Sequence, residues 1–238
     1  LNQAGQYSDQ INLVATTTSE SALVLSDLDA AGIRGSDTGD QGVINPAGTD
    51  QTLLRAGATD GDVKGQVLGG VRATAATIGD PEHTGQGSSG DNAVIEMDGT
   101  LSGLRDVDIL GAFFAVDANG DALSPAPSVK ATAYGDYDAT STSVKGDALA
   151  HSDVNAYGIF DENLNGTITT SGGVSAIAQI SNTVLSTTVN GQADATAITD
   201  AIGIHGYQIT MNDPGIFTAT ADSESIATST SVLGRANA

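Results

Sequence analysis

Between Thr140 and Ala150 the residue types change at every second position. Thr140, Thr142, Val144, Gly146, Ala148 and Ala150 fall on one face, and Ser141, Ser143, Lys145, Asp147 and Leu149 on the other. A period of two is the mark of a strand, because successive side chains point to opposite faces, and Thr and Val add β-propensity. The first set, small and apolar at Val, Gly and Ala, is expected to face a narrow interior, and the second to face solvent.

The same pattern returns along the chain. Ala139-Thr-Ser-Thr-Ser-Val144 reappears as Ala227-Thr-Ser-Thr-Ser-Val232, and both copies continue as x-Gly-x-Ala-x-Ala, to Ala150 and Ala238. A weaker copy lies between them: Ser141 to Ile159 aligns with Ser186 to Ile204 at an offset of 45 residues, with 9 of 19 positions identical. Its ending, Asn155-Ala-Tyr-Gly-Ile159 and Asp200-Ala-Ile-Gly-Ile204, is recognisable upstream as Asp29-Ala-Ala-Gly-Ile33. A repeat of this length points to stacked units. Each unit is too long for one strand and must hold several, separated by turns. The expected fold is all-β, a β-solenoid-like stack of short strands, with a β-sandwich subunit using strand exchange as the alternative.

Two parts are expected. Residues 1–127 form a β-rich N-terminal part with long polar loops, and residues 128–238 form the repeat-containing part, continuous with the first. The most loop-like stretch is Gly79 to Asn92, and the most apolar run is Ile109 to Val116. Helix is weakly supported. Its best candidate, Val174 to Leu185, alternates almost as well as a strand.

Composition narrows the class. Aromatics are 4% and Trp is absent, so the large anchors of ordinary cores are nearly missing. The 30 glycines mark many turns, while an apolar content of 39% exceeds that of a disordered acidic chain. Net charge is −21, carried by 24 Asp and only 5 Glu. Asp prefers turns, where its short carboxylate bonds nearby amides. With three Lys and five Arg in opposition, nucleic acid is excluded as a partner by electrostatics. The chain has no cysteine, which excludes disulfides and thiolate metal sites, and no apolar run approaches the ~18 residues of a membrane span. The opening Leu1-Asn-Gln, without Met, fits a processed chain or a fragment.

The strongest chemical signal is Asp161-Glu-Asn-Leu-Asn-Gly-Thr-Ile168. Oxygen side chains at its first, third and fifth positions (Asp161, Asn163, Asn165), then Gly and an apolar residue, follow the way an EF-hand-type loop wraps calcium. The twelfth position, where a bidentate Glu belongs, is Gly172. Such a loop either binds calcium with help from a neighbouring unit or is an Asx-rich turn needing no metal. Asp117, Asn119 and Asp121 form a shorter acidic turn of the same kind. Asp pairs at spacing two occur at 27/29, 60/62, 106/108 and 136/138. Each pair shares one side of a strand and repels unless a cation or solvent intervenes. Asn165-Gly-Thr167 is also a glycosylation sequon, overlapping the calcium loop.

Other motifs lead nowhere. Gly85-Gln-Gly-Ser-Ser-Gly90 matches a dinucleotide fingerprint in letters but lacks the strand before it and the helix after it. His83, His151 and His205 have no zinc-ligand spacing and are expected at turns or in solvent. No nucleophile has a nameable base and orienting group, so no enzyme is expected.

The Ala/Thr/Gly-rich units with their Ala-x-Ala and Gly-Ile endings resemble the repetitive, acidic, adhesin-like surface proteins of aquatic bacteria, well over residues 128–238 and loosely over 1–35. That resemblance implies secreted β-solenoid or stacked-sandwich modules, often stabilised by calcium. The strict G-G-x-G-x-D nonapeptide of the calcium β-roll is absent. The expected function is a structural subunit of an extracellular filament, sheath or cell-surface fibre, a homopolymer joined head to tail through Leu1–Ala15 or Ser225–Ala238. The alternative is an adhesin or a carbohydrate- or ice-binding module that presents Thr140/Thr142 and Thr228/Thr230 to a surface glycan or to ice. The spacing shift from 45 to 43 residues is expected to leave Ser186-Thr187-Thr188 out of step with those threonines.

Overall fold

The computed structural model describes residues 3–18, 21–35, 42–44, 63–78, 91–109, 128–164, 166–170, 172–211 and 216–238. The polar loop from Gly79 to Gly90, the apolar run after Ile109, and Asp60, Asp62, His83, Asp117, Asn119, Asp121 and Asn165 lie outside them.

The described residues form strands and no helix. The chain visits three sheets in rotation. The first sheet takes β1 (Gln3–Thr17), β4 (Val63–Thr77), β7 (Val129–Ser143), β10 (Val174–Thr188) and β13 (Phe217–Ser231), in that order. The second takes β2 (Ala22–Arg34), β5 (Ala93–Arg105), β8 (Ala148–Phe160), β11 (Gln192–His205) and β14 (Arg235–Asn237). The third is built of the shorter β3 (Gly42–Ile44), β6 (Val107–Ile109), β9 (Gly166–Thr170) and β12 (Tyr207–Met211). Each strand pairs in parallel with its equivalents in the layers before and after. Parallel neighbours need a long crossover, and here the crossover is the rest of a layer. No pair of described strands is antiparallel. The chain is all-β with parallel sheets, compatible with the solenoid-like stack that the repeats predict.

Layers of unequal length stay in step. The long first strands begin at residues 3, 63, 129, 174 and 217, yet Val63 pairs with Val129, which pairs with Val174, which pairs with Phe217.

Two apolar clusters fill the interior. One lies between the first and second sheets and is made largely of small residues such as Val67, Ala73, Ala133, Ala150, Ala156 and Ala178. The other sits where the third sheet closes the end, with Val63, Val129, Val174, Leu104, Ile159, Ile109 and Ile168. A buried Val, Leu or Ile contributes roughly 1.5–3 kcal/mol over exposure, so this corner holds more stability per residue than the alanine-lined middle.

The Gly-Ile endings mark that corner. Gly32, Gly103 and Gly158 interrupt their ladders, and the residues buried on either side are three apart: Ala30 and Ile33, Leu101 and Leu104, Ala156 and Ile159. At each such step the buried apolar face shifts by one residue while the pairing between strands stays one to one. A Cβ on Gly158 would come within 2.8 Å of the Ile177 amide nitrogen, so only glycine lets the second sheet's backbone rest on the first.

One face assignment is reversed. Ala148 and Ala150 are buried as expected, but in β7 the buried positions are Ser141 and Ser143, with Thr140 and Thr142 outward. The turn at 144–147 changes phase, so a single alternation cannot be carried through it. Both inward serines of β7 have a hydroxyl partner: Ser141 Oγ donates to the Ala93 carbonyl at 2.7 Å, and the partner of Ser143 is given next.

Candidate functional site

The repeated Ser-Thr-Ser-x-x-Gly segment is a turn-closing device. In the first sheet Thr77, Ser143, Thr188 and Ser231 form one inward rank at the end of the strand. Ser143 Oγ donates to the Asp91 carbonyl at 2.9 Å, Thr188 Oγ1 to the Gly146 carbonyl at 2.8 Å, and Ser231 Oγ to the Gly191 carbonyl at 2.9 Å. Each hydroxyl satisfies a turn carbonyl of the preceding layer. Within the turn the Gly146 and Gly234 amides donate back to Ser143 and Ser231 Oγ, both at 2.9 Å. Asn92 and Asp147 add to the chain: the Asp147 amide donates to Asn92 Oδ1 at 2.9 Å, and the Gln192 amide to Asp147 Oδ1 at 2.7 Å. The most conspicuous motif in the sequence thus holds one layer to the next.

A second cluster lies at the corner between the second and third sheets, and sequence reasoning missed it. Arg34, Arg105, Phe160 and His205 share one rank. Arg105 is nearly buried; its guanidinium reaches Asp29 at 2.5 Å, Asp106 at 3.5 Å and Glu162 at 3.8 Å, and lies 5.3 Å from the centre of the Phe160 ring. Phe160 in turn packs on Tyr157 and His205, with ring centres 4.3 and 5.4 Å away. His205 is therefore part of a stack, not a solvent-facing turn residue as expected, and its Nδ1 is buried without a hydrogen-bond partner among the described residues. The signal was available: every residue after a Gly-Ile or Gly-Leu mark, from Arg34 to His205, belongs to this stack.

The proposed calcium loop follows directly. Asp161 is buried and its Oδ1 accepts the Asn163 amide at 2.9 Å, which is an Asx turn. Asn163 is exposed. Nearby, Asp106 Oδ1 accepts the Glu162 amide at 3.0 Å and Asp108 Oδ1 the Thr167 amide at 2.7 Å. Burial pushes the Asp108 carboxyl above its ordinary value; the Thr167 amide pulls it back in part, and Asp161 adds to the rise. Among the described residues no group of three or more His, Asp or Glu side chains converges on a point where a metal would sit. Tyr207 closes the corner from below, its hydroxyl donating to the Val107 carbonyl at 3.0 Å and accepting the Val107 amide at 2.9 Å.

Arginines answer several of the paired aspartates, Arg72 and Arg105 from neighbouring layers and Arg34 from the same strand. Asp136 and Asp138 lie 3.7 and 3.1 Å from Arg72, and Asp29 is shared by Arg34 and Arg105. Asp27, Asp98 and Asp153 instead stand in register on adjacent strands, a column of like charges on the outside of the second sheet.

The outward threonines do come into step. Thr142, Thr187 and Thr230 pair in register, and Thr16 and Ala76 continue the rank; Val14, Thr74, Thr140, Leu185 and Thr228 form a second. The expected offset at Ser186-Thr187-Thr188 is absent, because the two-residue difference in spacing is taken up outside the ladder. Among the described residues no helix is long and apolar enough to cross a membrane.

No protein family, curated protein or solved structure matches the chain.

Proposed function

We propose that the chain is an acidic β-solenoid that serves as a structural subunit of an extracellular fibre, sheath or cell-surface filament, joining copies end to end through open strand edges. One observation carries the reading: interior strands of the first sheet bury their inward residues, with Gly135 alone partly open, whereas β13 is exposed along almost its whole length on both faces. After Phe217 its inward residues are small, Ala219, Ala221, Ser223 and Ser225, and Phe217 itself with the neighbouring Ile216, Val232 and Leu233 is exposed. At the opposite end β1 offers an unpaired edge with larger inward residues, Tyr7, Ile11 and Leu13. A bulky end and a small-residue end are complementary, and a contact between unlike ends propagates without closing. An unpaired edge of this length is a template for another strand.

Calcium belongs to the same proposal, as a ligand of the turn at Asp161, Asn163 and Asn165 and of the one at Asp117, Asn119 and Asp121. Its support is the oxygen spacing in sequence. A binding role for the threonine ranks is the second reading, favoured by their in-step register on five strands.

The test of assembly is a charge placed on the open edge. Ala221→Lys and Ser223→Lys lie on exposed positions, so the isolated chain should keep its circular dichroism and melting temperature. Light scattering should show concentration-dependent growth of the parent chain and its loss in both variants. Growth unaffected by both substitutions contradicts end-to-end pairing through β13.

A further inference from the structure

We propose that the outer face of the first sheet binds a linear, uncharged glycan laid along the stack, with Tyr134 as its platform. The proposal depends neither on assembly nor on the threonine ranks, since the site lies within one chain and on other ranks of the same sheet. Two shallow depressions flank Tyr134. The larger, about 500 Å³, runs toward Ser8, Gln10, Leu68 and Asp136; the smaller, about 230 Å³, runs toward Gln179, Ser181, Asp222 and Glu224.

Register makes the two depressions one path. Ser8, Leu68, Tyr134, Gln179 and Asp222 form a single outward rank, and Gln10, Gly70, Asp136, Ser181 and Glu224 form the next. Five strands at ~4.8 Å spacing give a track of roughly 19 Å across the layers. In the second rank Gly70 has no side chain, and the Gln10 carboxamide reaches past it, Nε2 donating to the Asp136 carbonyl at 3.4 Å.

The lining fixes the chemistry. A half-exposed phenol ring offers a flat apolar face of the kind that stacks on the C–H face of a sugar ring. Around it stand hydroxyl, carboxamide and carboxylate groups, an acceptor-rich set suited to ligand hydroxyls. No Lys or Arg lines either depression, and the neighbouring Arg72 is already engaged by Asp136 and Asp138. Four acids in the lining repel sulfated or uronic chains. A neutral chain with many O–H donors meets these requirements.

The experiment titrates the full chain with cellohexaose, xylohexaose and N-acetylchitohexaose by calorimetry at low and at high salt. At least one neutral hexaose should bind, with an affinity little changed by salt, and Tyr134→Ala should weaken it roughly tenfold. Tyr157→Ala, an aromatic on the second sheet, should leave binding unaltered. Circular dichroism checks that both variants are folded. Absence of binding by all three probes overturns the proposal, as does binding that Tyr134→Ala leaves intact or that salt abolishes.

Discussion

The ring of Tyr137 fills the space that a side chain on Gly99 would occupy. A Cβ there would lie 2.6 Å from the phenol oxygen and 3.0 Å from the ring. Tyr137 is fully buried, on β7, and Gly99 faces it from β5, so one large residue in an alanine-lined interior is matched by one residue with no side chain. Gly99→Ala should destabilise by ~1–3 kcal/mol through overpacking. The Tyr137 hydroxyl has no hydrogen-bond partner among the described residues, so Tyr137→Phe should be neutral or stabilising. Denaturant melts of the two single variants and the double variant should give a coupling energy of ~0.5 kcal/mol or more; strict additivity contradicts the contact.

The alanines after the turn separate interior layers from the end. Ala148 and Ala193 are fully buried, but Ala236, their equivalent in the last layer, is exposed. Ala148→Leu and Ala193→Leu should each lower stability by ~1–3 kcal/mol. Ala236→Leu should leave the isolated chain unchanged. Equal effects at all three positions would show that the last layer is covered in solution.

Alkaline pH should unfold the protein through its buried phenols. Burial, reinforced by Tyr7 and Asp27, raises the ionisation of Tyr137. For Tyr207 burial is again the main cause, opposed by the Val107 hydrogen bond and assisted by Asp161, Asp106 and Asp108. Above the ordinary tyrosine value of about 10 the unfolded chain loses these protons while the folded chain keeps them. Stability therefore falls as pH rises through and beyond that value. Phenolate absorbance should show a fraction of the five tyrosines appearing only together with unfolding. Titration of all five in the folded protein near pH 10 contradicts this packing.

Calcium is tested by chelation. A ligand bound by the folded state alone raises the melting temperature by mass action, so chelator should lower it and added calcium restore it. Asn163→Ala should abolish the response yet keep the turn, because the bond to Asp161 Oδ1 comes from the Asn163 backbone amide. An identical melt with and without chelator removes calcium from the account.

Much of the fold was legible because identical turns recur. The two Ala-Thr-Ser-Thr-Ser-Val copies lie in register on either side of the weaker copy, with Ser141, Ser186 and Ser229 in one rank, and the Gly-Ile marks are the corner steps. The inward face of β7 was misread because hydrophobicity alone ranks Thr with Val and Ser with solvent. In this turn the deciding factor is which hydroxyl reaches a carbonyl of the previous layer, a relation between residues some forty positions apart, as in Thr188 and Gly146. The Arg105 stack was missed for the same reason. Arg34, Arg105, Phe160 and His205 share no chemical type, only a position after the mark.

End-to-end stacking is tested most directly by cross-linking the two ends. Val14 and Thr228 occupy the same outward rank on the first and last strands of the first sheet, four strand spacings or roughly 19 Å apart within one chain. If β13 of one copy pairs with β1 of the next in continuing register, Thr228 comes beside the next copy's Val14 at ~4.8 Å, within disulfide range. The chain has no cysteine of its own. Oxidised Val14→Cys/Thr228→Cys protein, run denatured without reductant, should give a ladder of dimer, trimer and higher bands, and each single variant should stay monomeric, because its cysteine faces a Thr or Val of the neighbouring copy. Monomer alone from the double variant, at concentrations where the parent chain scatters as an assembly, would contradict the account.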